Sequence, residues 1–196
     1  MKNIIKIAFF CIGSLLITSC ANNNLISAYG DQSKKVLNRY IKLDNGDRIL
    51  TGQFSQDALN QKYYSTWYQP EYDSYEVEEE KLKDIRKDIK KYHIEVFVGT
   101  WCGDSRRELP RLYKILENVK FPMNTDKLKV FGVDRKKKSF YGEEIGKNIS
   151  HVPTIIFYLK GEEVGRIVES PVSGYLEEDI AMIVKGNPLT PNYSKD

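Results

Sequence analysis

One cysteine, Cys102, lies where the chain could carry out thiol chemistry. It stands in the sequence GTWCGDSRRELP at residues 99–110, after a β-rich apolar run and before a segment with helical spacing. A cysteine at the start of a helix faces unpaired backbone N–H groups and the positive end of the helix dipole, and both favour the reactive thiolate. We therefore predict that Cys102 is a nucleophile at a strand-to-helix junction.

The neighbours of Cys102 change this environment. Arg106 and Arg107 lie in the first turns of the predicted helix and add positive potential, whereas Asp104 opposes it because a carboxylate disfavours a second nearby anion. Ser105 could hydrogen-bond the sulfur. The Gly-Asp-Ser sequence after the cysteine predicts an exposed site. The alternative is an inert buried cysteine.

The elements that must position this site follow from hydrophobic periodicity. Apolar residues three or four apart predict helices, and β-rich runs bounded by turn signals predict strands. The predicted elements are, in chain order, a helix at 82–92, a strand at 94–100, a helix at 109–119, a strand at 127–134, a hairpin at 154–169 and a helix at 176–184. This order favours an α/β fold with a central mixed β-sheet flanked by helices.

Several separate features of the chain resemble the thioredoxin superfamily over about residues 77–186. They are Trp101-Cys102-Gly103 after a buried strand, Pro110 eight residues after the cysteine, Val152-Pro153-Thr154 before a strand, the turn at 160–162, and Gly165. In more detail, the W-C-G-D-S motif is similar to that of envelope thioredoxin-like lipoproteins.

The resemblance implies a thioredoxin-like fold and thiol–disulfide exchange, with Cys102 and Ser105 as the catalytic positions. It also implies that Pro153 is cis, lies beside Cys102, and leaves the backbone of the preceding residue able to pair with a bound peptide. The residues implied to surround the site are Trp101, Gly103, Asp104, Arg106, His151, Val152, Pro153 and Thr154. His151 could accept a proton, or it could be a loop residue without a chemical role.

Two departures from the family pattern concern the second thiol. Ser105 replaces the resolving cysteine, and Val96 occupies the position, six residues before Cys102, of a buried acid that assists that cysteine. We therefore expect a single thiol that forms mixed disulfides with protein or small-molecule thiols, and that needs another thiol to release it. The open alternative is a non-catalytic module that binds peptides or proteins.

The N-terminal sequence MKNIIKIAFFCIGSLLITSC predicts a secretory signal, because a basic start precedes an apolar stretch too short to span a bilayer comfortably. Its end, Ile17-Thr18-Ser19-Cys20, resembles a bacterial lipobox. We expect lipidation of Cys20 and a cell-envelope location, anchored in a membrane and facing the periplasm or the cell surface. An ordinary signal peptide with an incidental cysteine is the alternative.

The chain of 196 residues then divides into four predicted parts. These are a signal peptide at 1–19, a tether and Tyr-rich extension at 20–76, a thioredoxin-like domain at 77–186 and a loose tail at 187–196. The extension contains six aromatic residues in YYSTWYQPEYDSY at 63–75. They could form a sugar- or peptide-binding surface, or cover the flank of the domain.

The charge of the chain argues against nucleic-acid binding. The formal net charge is +3, and removal of residues 1–19 takes away Lys2 and Lys6 and leaves +1. Nucleic-acid-binding domains are usually much more basic. The basic run at 135–138 could attract an anionic partner or be a solvated loop. We expect thiol or disulfide partners, a membrane through Cys20, and neither a cofactor nor a metal ion.

Overall fold

The computed structural model describes residues 36–123 and 126–194, so the predicted signal peptide and Cys20 lie outside the described residues. The strands are β1 (Tyr40–Lys42), β2 (Arg48–Leu50), β3 (Gly52–Phe54), β4 (His93–Val98), β5 (Leu128–Gly132), β6 (Thr154–Leu159) and β7 (Glu162–Val168). The helices are α1 (Lys62–Ser74), α2 (Glu79–Leu82), α3 (Gly103–Asn118) and α4 (Leu176–Val184), with 3-10 helices at Gln56–Asn60 and Ile89–Lys91.

Five strands form a mixed sheet in the order β3-β5-β4-β6-β7. The β4–β5 pair is parallel, and the other three pairs are antiparallel. The predicted hairpin is β6 and β7, and the two predicted buried strands are β4 and β5. This confirms the α/β class with a central mixed sheet.

The two faces of the sheet bury different cores, because successive side chains of a strand point to opposite faces. Ile94, Val96 and Val98 belong to the larger core, which includes apolar residues of α1, α3 and α4. Phe97 belongs to a smaller core, where its ring stacks on Phe131 with centroids 5.1 Å apart. Trp101 and Cys102 pack against this smaller core, which therefore supports the candidate site.

Part of the predicted N-terminal extension belongs to the sheet and the main core. Strand β3 pairs with β5, and Tyr68 of α1 packs edge-on against Tyr113 of α3, with ring centroids 6.2 Å apart. Tyr64 and Tyr68 are buried, whereas Tyr63 is exposed. The aromatic residues at 63–75 thus cover a flank of the sheet and also leave rings at the surface.

The predicted helix at 82–92 is broken into α2, a series of turns and the 3-10 helix at Ile89–Lys91. Its predicted apolar face is nevertheless buried, at Leu82, Ile85, Ile89 and Tyr92. An α-helical turn and a 3-10 turn both place residues three or four apart on one face. The spacing therefore identified the buried residues without distinguishing a continuous helix from successive turns.

The tail, which we expect from the sequence to be loose, contacts the domain through Asn192 and Tyr193. The Asn192 side-chain amide donates to the carbonyl oxygens of Val168 at 3.2 Å and Ser170 at 3.0 Å. The Tyr193 ring stacks on His151, with centroids 3.8 Å apart. Within residues 36–123 and 126–194, no helix combines the length and the apolar character needed to cross a membrane.

Candidate active site

Cys102 lies at the N-terminal end of α3, directly after the loop that follows β4. Its backbone is extended, with φ −93° and ψ 132°, and it occupies the N-cap position. The Cys102 N–H donates to the Gly99 carbonyl at 2.8 Å, and the Arg106 N–H donates to the Cys102 carbonyl at 3.1 Å. Cys102 is partly buried, and it lies at the N-terminus of the helix, where the sequence predicted it.

The loop before β6 brings Pro153 to this helix end. The Val152–Pro153 peptide bond is cis, and the Cys102 thiol donates to the Val152 carbonyl oxygen at 3.2 Å. The Thr154 hydroxyl donates to the His151 carbonyl at 2.7 Å and is buried with the loop. The predictions that Pro153 is cis and that its loop contacts Cys102 are confirmed.

Trp101 fills the space between the Cys102 loop and strand β5. Its indole Nε1 donates to the Val133 carbonyl at 2.9 Å. A Cβ atom on Gly99 would lie 2.5 Å from the indole ring, so only glycine admits this close approach. The Arg135 guanidinium lies 5.0 Å from the Trp101 ring centroid, so one residue of the basic run reaches the site.

Ser105 is not at the surface, contrary to the expected exposure of the Gly-Asp-Ser sequence. It is 1% exposed, and its hydroxyl oxygen accepts a hydrogen bond from the Gly99 N–H at 3.1 Å. No hydrogen bond between Ser105 and Cys102 occurs among the described residues; the thiol donates to the Val152 carbonyl. Gly103, in contrast, is exposed.

The charged residues of the first turns pair among themselves. Arg107 forms ion pairs with Asp104 at 2.8 Å and with Glu108 at 2.7 Å, which offset the Asp104 charge. Burial raises the pKa of Glu108, and the Arg107 guanidinium only partly opposes this. Arg106 forms no ion pair with any described residue; its Nε donates to the Thr100 carbonyl at 2.7 Å and holds the loop before Cys102.

His151 lies beside the cis-proline loop, but its contacts are with the tail and its own loop. Its ring stacks on Tyr193, and its Nδ1 lies 3.1 Å from the Ser150 hydroxyl. No contact between its ring and Cys102 is found in the described part of the chain. Val96, at the position of the family's buried acid, is fully buried in the larger core.

Thr100 is a site residue that sequence reasoning missed. It is 2% exposed, and its hydroxyl oxygen accepts a hydrogen bond from the Leu50 N–H at 3.2 Å. This bond joins β2 to the loop before Cys102, across fifty residues of sequence. A threonine at the end of a strand carries no local signal for such a role.

The fold and the site together define a thioredoxin-like protein: a mixed sheet, a cysteine at the N-terminus of the helix after a central strand, and a cis-proline loop against its sulfur. A family model described as thioredoxin matches residues 53–174, more than half of the chain. The chain therefore belongs to the thioredoxin family. Neither a curated protein nor a solved structure matches it.

The residues of this site do not suggest a metal centre. Among the described residues, no group of three or more histidine, cysteine, aspartate or glutamate side chains could hold a metal ion. Cys102 is also the only cysteine in that part of the chain. The chemistry that these side chains can provide is that of one thiol beside the cis-proline loop.

Proposed function

We propose that this protein carries out thiol–disulfide exchange through the single thiol of Cys102, on protein or small-molecule thiols. The observation that carries the proposal is the position of Cys102: the residue is partly exposed at a helix N-terminus, and its sulfur lies 3.2 Å from the Val152 carbonyl oxygen of the cis-proline loop. In such an exchange the attacking species is the thiolate.

The reaction consists of two exchanges that leave the number of disulfides unchanged. The Cys102 thiolate attacks one sulfur of a substrate disulfide, forms a mixed disulfide, and expels the other substrate sulfur as a thiolate that takes up a proton. A second thiolate, from a small thiol, a partner protein or the substrate itself, then attacks the substrate sulfur. It forms the new disulfide and releases the Cys102 thiolate.

The absence of a second thiol in the site favours exchange or isomerisation over net reduction by the protein alone. Ser105 occupies the place of the resolving cysteine and is committed to the Gly99 N–H. Among the described residues Cys102 is the only cysteine, so that part of the chain holds no second thiol that could attack the mixed disulfide. The chemistry suits the transfer of a disulfide between partners, the removal of a small thiol from a protein, or the reduction of a sulfenate with help from a second thiol.

Trapping and alkylation test this proposal. The purified protein should form a mixed disulfide with a cystine-containing peptide, visible by mass spectrometry, and added glutathione should release it. Cys102→Ser should form none, while Ser65→Ala, a change on α1, should behave as the wild type. The rate of Cys102 alkylation across a pH series, compared with that of a free cysteine peptide, measures whether the site activates the thiol.

Failure of these reactions would favour the non-catalytic binding module. In that case Cys102 would react with iodoacetamide no faster than a free cysteine peptide and would capture no peptide disulfide. The cis-proline loop would then serve only to bind an extended peptide.

We further propose that the protein is a lipoprotein of the cell envelope, anchored through Cys20. The support is sequence alone: the basic and apolar segment at 1–19 and the lipobox-like Ile17-Thr18-Ser19-Cys20. Acyl chains on Cys20 would hold the membrane, and the polar residues that follow would act as a tether. Cys20→Ser should move the protein from the membrane to the soluble fraction; unchanged partition would overturn the anchor.

A further inference from the structure

A row of arginine and aromatic side chains lies along the surface beside the candidate site. Arg48 of β2 is placed between two exposed tyrosines: its guanidinium carbon lies 4.4 Å from the Tyr40 ring centroid and 4.3 Å from that of Tyr63. Such distances are those of cation–π contacts, which hold the guanidinium between the two rings. The arginine is therefore preorganised at the surface.

The row continues along α1 towards Cys102. Tyr63 and Trp67 are four residues apart on α1 and are neighbours on one helix face. The Arg106 guanidinium lies 5.7 Å from the Trp67 ring centroid, and Arg106 belongs to the first turn after Cys102. We call these five residues, Tyr40, Arg48, Tyr63, Trp67 and Arg106, the arginine–aromatic surface.

The cations of this surface have no acidic partner within the described residues. Neither Arg48 nor Arg106 forms an ion pair there. Arg48 makes no side-chain hydrogen bond in the same part of the chain. By contrast, Arg107 and Arg111 of α3 each form ion pairs with carboxylates.

Polar atoms beneath this surface also lack partners. The Nε of Arg48, the Nε1 of Trp67 and the hydroxyl of Tyr64 are buried and make no hydrogen bond with any described residue. Tyr64 is itself only 1% exposed, and burial raises its pKa to about 12, so it keeps its O–H. Buried donors without partners are rare in folded proteins and call for an explanation.

We propose that the arginine–aromatic surface binds an acidic segment of the polypeptide whose disulfide Cys102 attacks, an inference that rests on the proposed function and names its substrate class. Charge complementarity carries it: two arginines without carboxylate partners suit two acidic side chains, because the guanidinium binds carboxylates in bidentate fashion. The aromatic rings between them provide contact area for the intervening peptide.

The surface also explains how substrate would be oriented. The Arg106 N–H bonds to the Cys102 carbonyl at 3.1 Å, so the row ends one turn from the thiol. A peptide held at Arg48 and Arg106 would run over α1 and reach Cys102 at one end. Acidic residues on one side of the substrate cysteine, rather than a high overall negative charge, should therefore determine recognition.

Binding without chemistry tests the surface by itself. A cysteine-free peptide with several glutamates should bind the Cys102→Ser protein, and the same peptide with glutamines should bind about tenfold more weakly. Arg48→Gln should lose this preference, and Arg48→Lys should retain part of it. Lys90→Gln, which removes one positive charge at an exposed position near the far end of β4, should bind both peptides as the parent does.

The rate of mixed-disulfide formation tests the link to Cys102. In the protein with Cys102, acidic peptide disulfides should react faster than their glutamine counterparts, and Arg48→Gln should remove the difference. Equal rates for both peptides would overturn this inference and leave the proposed exchange intact. If the acidic peptide binds the Cys102→Ser protein, but the acidic peptide disulfide does not react with the protein that retains Cys102, the proposed exchange would be overturned instead.

Binding to anionic lipid distinguishes a membrane surface from a peptide. Vesicles that contain phosphatidylglycerol should bind wild type and Arg48→Gln equally. If Arg48→Gln weakens binding to the vesicles, and the protein binds the glutamate and glutamine peptides equally, the surface binds a membrane and not an acidic peptide.

Discussion

The Ser105 hydroxyl oxygen accepts a hydrogen bond from the Gly99 N–H at 3.1 Å, within a buried part of the loop before Cys102. The position at which a two-cysteine site would carry its second thiol thus supports the backbone of the active-site loop. Both residues are buried, so solvent cannot replace either partner. Ser105, which replaces the resolving cysteine, therefore has a structural role: it holds the loop before Cys102.

Replacement of Ser105 by alanine should lower the free energy of unfolding by about 1–3 kcal/mol, because it leaves the buried Gly99 N–H without an acceptor. Urea denaturation measures this loss. Ser65→Ala is a suitable control, since the Ser65 hydroxyl makes no hydrogen bond among the described residues. Equal stability of the two variants would show that the bond to Gly99 contributes nothing.

Replacement of Ser105 by cysteine should create a pair that can form a disulfide, because residues three apart at the start of a helix lie on one face. The variant should release mixed disulfides that the wild type retains, and should reduce insulin with an added reductant. Turnover should be slow, because Val96 provides no buried acid beside the new thiol. A variant that forms no internal disulfide would argue against a thioredoxin-like site geometry.

Replacement of Gly99 by alanine should disrupt the site, because its Cβ would lie 2.5 Å from the Trp101 indole. The ring must move and give up its hydrogen bond to Val133, at a cost of about 1–3 kcal/mol. Trp fluorescence and thermal unfolding would report both effects. The matched control is Gly103→Ala, since a Cβ there meets no atom within 4 Å; a comparable loss in the control would contradict the explanation.

Glu144 should make the free energy of unfolding depend on pH in the acid range. Burial raises its pKa, but hydrogen bonds from the Ser139 hydroxyl and backbone outweigh burial, with help from the Lys138 charge, and the net pKa is lowered. The native state therefore binds the proton less readily than the unfolded chain, whose glutamates have a pKa of about 4.3. The stabilising contribution is present above that value and is lost as the pH falls through the lower native pKa.

Urea unfolding of wild type and Glu144→Gln at several pH values measures this dependence. The wild type should be more stable at neutral pH, and the difference should shrink as the pH falls below about 4. A difference that stays constant with pH would mean that the Glu144 charge does not contribute. The Ser139 hydroxyl oxygen also lies 2.6 Å from a Glu143 carboxylate oxygen, so Glu143→Gln should be measured beside it.

The tail should hold His151 in place through the Tyr193 ring. The stacked rings, 3.8 Å apart and 11° from parallel, should shift the His151 proton resonances upfield by ring current. Tyr193→Ala should remove this shift, while Tyr193→Phe should preserve it despite loss of the hydroxyl that contacts Glu169. Identical His151 spectra in wild type and Tyr193→Ala would show that the tail does not pack on the loop in solution.

Much of the fold could be predicted from local sequence, because each element carries its own periodicity. The buried strands at β4 and β5, the hairpin of β6 and β7, and helices α3 and α4 all have patterns that need no distant partner. Cys102 and the cis-proline loop were likewise found from short motifs. Their contact was expected only through the family resemblance, since fifty residues separate Cys102 from Val152.

The sequence by itself determined which apolar residues of the main helices and strands are buried and where the cysteine lies, since hydrophobic periodicity and helix starts depend on neighbours within a few residues. Only the tertiary structure decided that β3 joins the sheet, that Ser105 is buried, and that Thr100 bonds to the backbone of Leu50. It also placed Arg48 between Tyr40 and Tyr63. These features depend on segments far apart in the chain, and their relative positions follow from packing of the whole core rather than from local propensity.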